Sequence, residues 1–551
     1  MKEPIQKDSV TVVDSMLLSG EVIRLLSAYE SVDKLKRKEL IESNFKVSQI
    51  LGSIAFLYER IRNTLDYKGD HLLRRNAIER ILKRQIWEKK TGDVQKLSEN
   101  LLKELIWARY LNNASIPKSK ISEIHLVIEK YLRLFAFVDS KFDGKAFEEN
   151  SNWFLGVLSS EIEEIIDPGI YIKESLNFEV FSWFRNRFIW EGHNLSAKDR
   201  DTQMFIAIHR SLNKSDKAWI RFRLLNAYLP AWEGLKSDKV DSLNERLFEI
   251  RDKIESQLNS SYQPRMFRFV QRQLPAFLVL KELIDKDYKK AKRIVSDPEK
   301  LENALQKICQ ARYSKIGSRI RRGVIRSIIY IFLTKALLAL VIEIPYEVFV
   351  NKELNYLTLT INLVFSPLLM FIIGTTIKKP GEENTKRITQ VVKSFVYKDD
   401  DVEKISFSLE RQKVGYILSR VFLAFYIFIF FLIFSSIGLV LVQLGFNVLS
   451  ATIFFFFSSL VLLFAYRVRY TATELNVAGE REGLLSHLFS LITMPFINVG
   501  SLLSQGLQRF NFFILIMDFL FEAPLKNVIR IFEEWNVFVK EKRDEVIEIP
   551  N

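Results

Sequence analysis

The sequence predicts an all-α protein in which a large cytoplasmic helical domain is followed by a polytopic α-helical membrane domain. In residues 1–326, apolar residues recur at three- and four-residue steps, the spacing of one helix face, and alternating strand-like stretches are scarce. From Ser327 onward, four long apolar runs appear that are nearly free of charge. The chain is therefore predicted to occupy two environments, water and lipid.

The charge of the chain divides in the same place. Residues 1–326 contain 59 Lys and Arg and 45 Asp and Glu, whereas residues 327–551 contain 21 of each, so the net charge of +14 lies wholly in the first part. This composition excludes a wholly soluble enzyme, a disordered chain and a disulfide scaffold. The single cysteine, Cys309, also excludes a zinc site built on paired thiolates.

The first part predicts a series of helices. The stretches from Phe45 to Arg62 and from His71 to Lys89 both carry apolar residues along one side. Further helical patterns cover about 94–112, 120–138, 152–166, 174–190, 201–213, 217–229, 239–259, 264–285 and 299–318. We assign residues 1–320 to one cytoplasmic domain with a sub-boundary near 143–151, because no export signal of the usual apolar length opens the chain.

The second part predicts four membrane spans, since a spanning helix needs about 20 apolar residues. The four runs lie at about 327–345, 356–377, 421–445 and 448–466. Of all their residues, only Lys335 and Glu343 in the first run are charged. Buried core helices are the alternative, but four such runs flanked by arginines disfavour it. We therefore assign residues 321–470 to a membrane domain.

Positive charge predicts the orientation of these spans. A juxtamembrane basic cluster precedes the first span, and the loop 378–413 holds nine Lys and Arg. The loops at the other end of the spans are short and carry one Lys or none. By the positive-inside rule, the N-terminus, the loop 378–413 and the C-terminus are cytoplasmic. The basic cluster consists of Arg319, Arg321, Arg322 and Arg326.

Residues 471–522 leave two alternatives open. The apolar stretch 484–507 is interrupted by His487, Pro495 and Asn498, and the stretch 510–521 has only 12 residues. Segments of this kind are typical of re-entrant or interfacial helices, although two further spans would also leave the C-terminus inside. Residues 523–551 then predict a cytoplasmic amphipathic helix and tail, whose apolar face could dock on a membrane or on the helical domain.

Charged residues within the apolar segments form the candidate site. Lys335 lies nine residues past Arg326, about 13 Å along a helix, which is near the middle of a ~30 Å hydrocarbon core. Ionisable groups at this depth usually face a bundle interior or water. Glu343 lies about 80° around the helix from Lys335, so it is not a stacked partner. Asp518 and Glu522 share one face of a later helix, and one hypothesis pairs Lys335 with Asp518.

Pro367 is a candidate kink in the second span, because it removes the backbone hydrogen bond to Leu363. Asn362, Ser366 and Gly374 lie nearby, and a kinked helix of small residues can line a cavity. Elsewhere the sequence has no phosphate-binding glycine loop, no H-E-x-x-H and no G-x-S-x-G. We therefore predict no cofactor, no metal site and no catalytic residue.

Basic residues of the helical domain are compatible with more than one partner. The segment Arg265–Arg272 interleaves Arg with Phe, as some nucleic-acid binders do. A domain beside an anionic membrane leaflet is basic for a different reason, because lipid headgroups attract it. We expect membrane lipids and a protein as partners and no nucleic acid, and the oligomeric state stays open. The predicted basic face consists of Arg74, Arg75, Arg80, Lys83, Arg84, Lys89 and Lys90.

Three segments carry a resemblance to known proteins. They are RIRRGVIRSIIYIFLTKALLALVIEIPYE (Arg319–Glu347), DYKGDHLLRRNAIERILKR (Asp66–Arg84) and NFFILIMDFLFEAPLKNVIRIFEEW (Asn511–Trp535). They are similar to segments of uncharacterised multi-pass membrane proteins from candidate-phyla bacteria with reduced genomes. The resemblance implies a bacterial inner-membrane setting. Because that family has no assigned activity, it implies no catalytic residue.

These observations favour an inner-membrane protein that acts as a membrane-anchored scaffold or interaction platform. The alternative is a transporter or channel that uses the region of Lys335 and Asp518. An enzyme is the least favoured class, because no active-site spacing occurs in the sequence.

Overall fold

A computed structural model gives the fold, and it confirms the predicted all-α class because the residues that it describes are almost entirely helical. The structure describes residues 18–39, 42, 44–47, 72–88, 93–192, 194–377, 380–398, 404–408, 416–472, 476–477, 484–509 and 535. These residues form two compact units. Unit 1 contains the described residues up to Gln271 and those between Phe395 and Leu409, and unit 2 contains those from Arg272 to Ser394 and from Glu410 to Asn511.

Unit 1 is a helical assembly. Side-chain oxygens of Asp93, Ser196 and Asp216 accept hydrogen bonds from the first backbone amides of three of its helices, which explains where those helices begin. Its helices are α1 (Gly20–Glu39), α2 (Leu73–Lys83), α3 (Val94–Trp107), α4 (Ser119–Lys141), α5 (Gly144–Ile166), α6 (Gly169–Arg187), α7 (Ala197–Leu212), α8 (Lys217–Tyr228), α9 (Asn244–Leu258) and the start of α10 (Gln263–Lys286).

The core of unit 1 is organised around α5. Nearly every residue of α5 from Asn150 to Glu163 is buried, and α2, α4 and α8 pack against it. A helix that is buried all round belongs to the centre of a domain rather than its surface. The segment 143–151, where the sequence suggested a sub-boundary, is the beginning of this central helix.

A two-stranded parallel sheet also belongs to unit 1. Strand β1 (Phe188–Glu191) follows α6 and pairs with β2 (Ile405–Ser408) from the loop 378–413. The prediction of a helix through residue 190 is therefore wrong at its end. The reason is tertiary: the ring of Trp190 packs 5.2 Å from that of Phe269 and 5.4 Å from that of Phe407, measured between centroids. The Arg-Phe segment 265–272 contributes Phe269 to this aromatic cluster.

Unit 2 contains the apolar helices. After Leu338 the chain stays helical to Asn351, through π-helical turns at Ala339–Glu343 and Glu347–Asn351. The helices of unit 2 are the remainder of α10, α11 (Tyr288–Val295), α12 (Pro298–Leu338), α13 (Tyr356–Thr376), α14 (Glu382–Val396, which ends in unit 1), α15 (Tyr416–Gln443), α16 (Val448–Ala472) and α17 (Leu484–Arg509).

Four of the described helices are long and apolar enough to cross a membrane, in agreement with the four predicted runs. They are Pro298–Asn351, Tyr356–Thr376, Ile417–Gln443 and Val448–Tyr470, with mean hydropathies of 2.0 to 2.7. The most apolar part of Val448–Tyr470 is 56% buried, compared with 11% for Ile417–Gln443. Helix α16 is therefore central to unit 2, where α12, α13 and α17 all contact it, whereas α15 exposes most of its apolar surface.

The ambiguous segment after the fourth run begins with a helix. Helix α17 packs closely on α16, because a Cβ added to Gly500 would lie only 2.4 Å from the carbonyl oxygen of Ser459. The ring of Phe496 stacks 4.7 Å from that of Phe434 in α15. The remainder of the predicted re-entrant or spanning segment, 510–522, and the predicted amphipathic helix lie outside the described residues, apart from Trp535.

Candidate functional site

Lys335 is buried among the apolar helices of unit 2. It lies in the last turn of α12, and only 2% of the residue is exposed. Its Nζ donates hydrogen bonds to the backbone carbonyl oxygen of Asn362 and, at 2.9 Å, to the Asn362 Oδ1 atom. A buried ammonium group is tolerated only when acceptors replace its water. Asn362, in α13, therefore satisfies two of the three N–H donors of Lys335.

Glu343 joins the same cluster through Asn362. The Nδ2 of Asn362 donates to Glu343 Oε1 at 2.7 Å and to the backbone carbonyl oxygen of Ser450 at 3.3 Å. Glu343 and Asn362 are 2% and 1% exposed. A neutral amide thus connects a cation and a carboxylate, because its oxygen accepts from one and its nitrogen donates to the other.

The π-helical turn at Ala339–Glu343 explains how Glu343 reaches this position. In a regular α-helix, eight residues leave Glu343 about 80° from Lys335. A π turn absorbs one extra residue, so the separation becomes that of seven α-helical residues, about 20°. Pro345 follows this turn and cannot donate to the carbonyl group four residues earlier. The widened helix thus places both charged residues on the face that meets α13.

Aromatic rings and buried hydroxyl groups complete the surroundings of Lys335. Its Nζ lies 5.9 and 5.3 Å from the ring centroids of Phe454 and Phe457 in α16, within cation–π distance. Ser366 lies one turn beyond Asn362 on α13 and is fully buried, as is Ser450. Within the described part of the chain, neither hydroxyl group has a hydrogen-bond partner. The cluster therefore contains two buried hydroxyl groups that the other described side chains do not hydrogen-bond.

Glu347 is a second buried carboxylate of unit 2, and it is not among the candidate site residues predicted from the sequence. It is 2% exposed, and its two oxygens accept hydrogen bonds from the Asn355 backbone N–H at 3.1 Å and from Asn447 Nδ2 at 3.5 Å. Asn355 and Asn447 also cap the first turns of α13 and α16. Gly445 has a φ of 83°, and a Cβ there would lie 2.8 Å from Asn355 Nδ2. Glu347 therefore connects the two predicted hairpin tips.

The other predicted site residues have different outcomes. Pro367 lies inside α13, which continues through it to Thr376. Asp518 and Glu522 lie outside the described residues, so the pairing of Lys335 with Asp518 stays a prediction. Arg319, Arg321 and Arg322 line an open basic groove on α12, whereas Arg326 is not among its lining residues.

Part of the predicted basic face of unit 1 forms ion pairs with carboxylates of the same unit. Arg74 pairs with Glu163 at 2.8 Å and with Asp167 at 2.9 Å. Arg75 is buried and pairs with Asp216 at 2.6 Å, and Arg84 pairs with Glu104. These three guanidinium groups bind the carboxylates of neighbouring segments. Arg74, Arg75 and Arg84 are therefore engaged in ion pairs within unit 1, and whether the rest of the predicted basic face meets lipid, nucleic acid or only solvent stays a prediction.

A buried polar network in unit 1 was also missed. Lys130 is 2% exposed, and its Nζ lies 2.6 Å from Glu161 Oε1 and 4.5 Å from the ring centroid of Trp232. The Tyr131 hydroxyl donates to Glu161 Oε2 at 2.9 Å and accepts from Trp232 Nε1 at 3.1 Å. Burial raises the pKa of Tyr131 well above its ordinary value, so the hydroxyl stays protonated. The polar groups of these four residues bond to one another, and the network stabilises the interior of the domain.

A buried histidine lies in a second network of unit 1. His209 is fully buried, and its Nε2 is 3.5 Å from Glu174 Oε2, which is 3.3 Å from Arg223 Nε. Burial lowers the pKa of His209 below the ordinary histidine value, although Glu174 opposes this effect. Burial also disfavours ionisation of Glu174, yet Arg223 and His209 hold its pKa below the usual range. At neutral pH the cluster therefore contains a neutral imidazole beside an ion pair.

Among the described residues, no group of three or more His, Cys, Asp and Glu could hold a metal ion. The strongest candidate site in unit 2 is the cluster of Lys335, Asn362 and Glu343, because these three polar side chains are buried and joined by hydrogen bonds. Comparison of the chain with protein-family models, with curated proteins and with solved structures finds no match.

Proposed function

We propose that this chain is an integral inner-membrane protein of bacteria that acts as a membrane-anchored scaffold, with unit 1 on the cytoplasmic side as the platform for a protein partner. The observation that carries this proposal is the closed arrangement around Asn362. Lys335 and Glu343, the charged residues of the predicted spans, are bound through one amide rather than left facing an open polar path. A closed polar cluster strengthens a helix bundle and gives it specificity.

A second observation supports the cytoplasmic placement of the loop 378–413. Strand β2 from this loop pairs with β1 in unit 1, which supports a placement of β2 and unit 1 on the same side of the membrane. Two predicted spans separate them in the chain, and an even number of spans returns the chain to the side of the N-terminus. The nine Lys and Arg of the loop agree with the positive-inside rule. The scaffold would then be built from two separate parts of the chain, joined by their aromatic side chains.

A transporter or channel is the second candidate, and a specific observation favours it. The hydroxyl groups of Ser366 and Ser450 are buried without a partner among the described residues. Buried ionisable groups at membrane depth often mark an ion pathway, and π-helical turns are frequent at functional sites. Such a pathway would use Lys335, Asn362 and Glu343 as its polar centre.

Flux measurements separate the two candidates. The full-length chain is reconstituted into liposomes containing dyes for protons, sodium and potassium, and the Lys335→Met variant is measured beside it. The scaffold proposal predicts flux equal to that of empty liposomes for both proteins. Flux that depends on the chain and is abolished in Lys335→Met would contradict the scaffold and support the transporter.

A partner measurement tests the scaffold directly. The full-length chain, tagged at one end, is purified from cross-linked membranes of its native host, and the copurified proteins are quantified. We expect one protein in near-stoichiometric amount whose cross-links map to unit 1, with the same yield for Lys335→Met. Absence of any such protein from a correctly folded, membrane-inserted chain would refute the platform role.

A further inference from the structure

Two adjoining grooves of unit 2 differ in chemistry and share one residue. The first lies along α12, has a volume of about 580 Å³, and is lined by Lys315, Arg319, Arg321 and Arg322 with two serines. Every charged residue that lines it is positive. The second groove has a volume of about 790 Å³ and lies between α12 and α13, and Arg321 lines it too. The basic and the apolar groove therefore meet at Arg321.

The apolar groove results from the packing of α12 on α13. Val324, Ile325 and Ile328 line it from α12, and Phe371 and Gly374 line it from α13. A Cβ added to Gly374 would lie 2.6 Å from Val324 Cγ1, so the missing side chain permits the close approach of the two helices. The volume of this groove is within the range of small-molecule sites, about 300–1,000 Å³.

We propose that these two grooves together bind one anionic phospholipid, with its phosphate on Arg321 and the neighbouring basic residues and an acyl chain between α12 and α13. The order of basic and apolar residues along α12 matches the headgroup and acyl chain of such a lipid. The basic residues precede Ser327, where the predicted span begins, and the apolar lining residues continue into the span. Ile377, at the end of the second predicted span, lines the apolar groove as well.

Charge complementarity identifies the class of lipid. Four positive side chains in one groove favour a headgroup with net negative charge over a zwitterionic one. A free phosphate ion would satisfy the basic groove alone and would not occupy the apolar groove. The site lies at the predicted cytoplasmic ends of the spans, the side on which anionic lipids attract basic residues. This inference requires membrane insertion but is independent of the scaffold role.

Native mass spectrometry of the full-length chain tests the headgroup part. Phosphatidylglycerol or phosphatidylcholine is titrated into the detergent-solubilised protein, and the lipid-bound fraction is measured. We expect tighter retention of phosphatidylglycerol, and binding weakened about fivefold by Arg321→Gln. Arg326→Gln is the matched control, since Arg326 lies on the same helix and lines neither groove. Equal retention of the two lipids, or equal loss in both variants, would overturn the proposal.

A second pair of variants tests the apolar groove. Gly317 lines this groove, so Gly317→Leu adds a side chain to it. Gly323, on the same helix, lines neither groove, and a Cβ added there meets no atom within 4 Å, so Gly323→Leu is the control. We expect only Gly317→Leu to reduce lipid retention, and Ile325→Trp, at a half-exposed lining position, to do the same if Gly317→Leu fails to fold. Unchanged retention in both filling variants would refute the acyl-chain part. Displacement of phosphatidylglycerol by millimolar inorganic phosphate in those variants would instead indicate an anion site without a lipid.

Discussion

Asn362 determines how the buried charges of unit 2 are arranged. Its Oδ1 accepts from Lys335 at 2.9 Å, and its Nδ2 donates to Glu343 at 2.7 Å. Neither Lys nor Glu is usually buried without a partner, because removal from water disfavours the charged form of each. One uncharged residue thus permits two charged residues to share a site at the centre of an apolar bundle.

Replacing this amide should therefore be costly. We expect Asn362→Leu to lower the free energy of unfolding of the full-length chain by about 3 kcal/mol, because Lys335 and Glu343 lose their shared partner. Denaturant titration in detergent micelles measures this change. Asn498→Leu is the matched control, since Asn498 is exposed and binds only Tyr426 among the described contacts. Equal losses of unfolding free energy in the two variants would show that the hydrogen bonds of Asn362 to Lys335 and Glu343 do not stabilise the protein more than an exposed hydrogen bond does.

His209 makes unit 1 sensitive to acid. The folded protein binds a proton at His209 less readily than the unfolded chain does, because burial lowers its pKa. Stability is then lost as the pH falls below about 6.5, the ordinary histidine value, by up to about 1.4 kcal/mol per pH unit. Glu174 acts in the same direction at lower pH, because its folded pKa is below the unfolded one.

A substitution separates the histidine from other titrating groups. We expect the unfolding midpoint of His209→Gln to change less between pH 7.5 and pH 5.5 than that of the parent protein, as measured by chemical denaturation of the full-length chain. Glu174 and Arg223, which face His209, are retained in this variant. An unchanged pH dependence would assign the acid sensitivity to other groups.

At the scale of elements, a glycine permits a close contact between α16 and α17. Gly500 faces the backbone of Ser459, and no side chain larger than hydrogen fits between them. Small residues at such crossings let helix backbones approach, which increases the van der Waals contact between helices in lipid. This contact holds α17 in the bundle even though Pro495 interrupts its hydrogen bonding.

We expect Gly500→Ala to lower the free energy of unfolding by about 1–3 kcal/mol, because the new methyl group must displace the backbone of α16. Gly438→Ala, in α15, meets no atom within 4 Å and should leave stability unchanged or slightly increased. Thermal unfolding of both variants in the same detergent compares them. A smaller effect at Gly500 than at Gly438 would contradict the close contact of α16 and α17.

At the scale of the whole molecule, the proposed topology depends on which segments share a side. Unit 1 contains both Ile189 in β1 and Ile405 in β2, and both side chains are exposed. Glu353 lies between the first two apolar helices, in one of the predicted external tips. The β1–β2 pairing agrees with an even number of spans between residues 189 and 405, and the predicted external tip needs an odd number between 189 and 353.

Cysteine labelling tests this arrangement, because Cys309 is the only native cysteine and is buried. In a Cys309→Ser background, we expect Glu353→Cys to react with a membrane-impermeant maleimide on intact spheroplasts. Ile189→Cys and Ile405→Cys should react only after permeabilisation, and to the same extent. Reaction of residue 405 from outside, or of 189 and 405 from different sides, would disprove the proposed topology.

The sequence determined the helical class and the four apolar helices, because both depend on local properties: the period of apolar residues and the uninterrupted length of an apolar run. It also identified Lys335 and Glu343 as the unusual charges. It could not predict that they share Asn362, because a π-helical turn inserts one residue that a regular period does not show.

The tertiary structure alone decided which polar groups meet. Arg74 and Arg75 form part of a basic stripe in the sequence, yet they bind carboxylates more than 80 residues away. Strand β2 forms because aromatic side chains from distant segments pack on Phe407. Such contacts are absent from any local window of sequence, since a single residue's partners depend on how whole helices pack. Local composition therefore fixed the helices, and packing fixed the site.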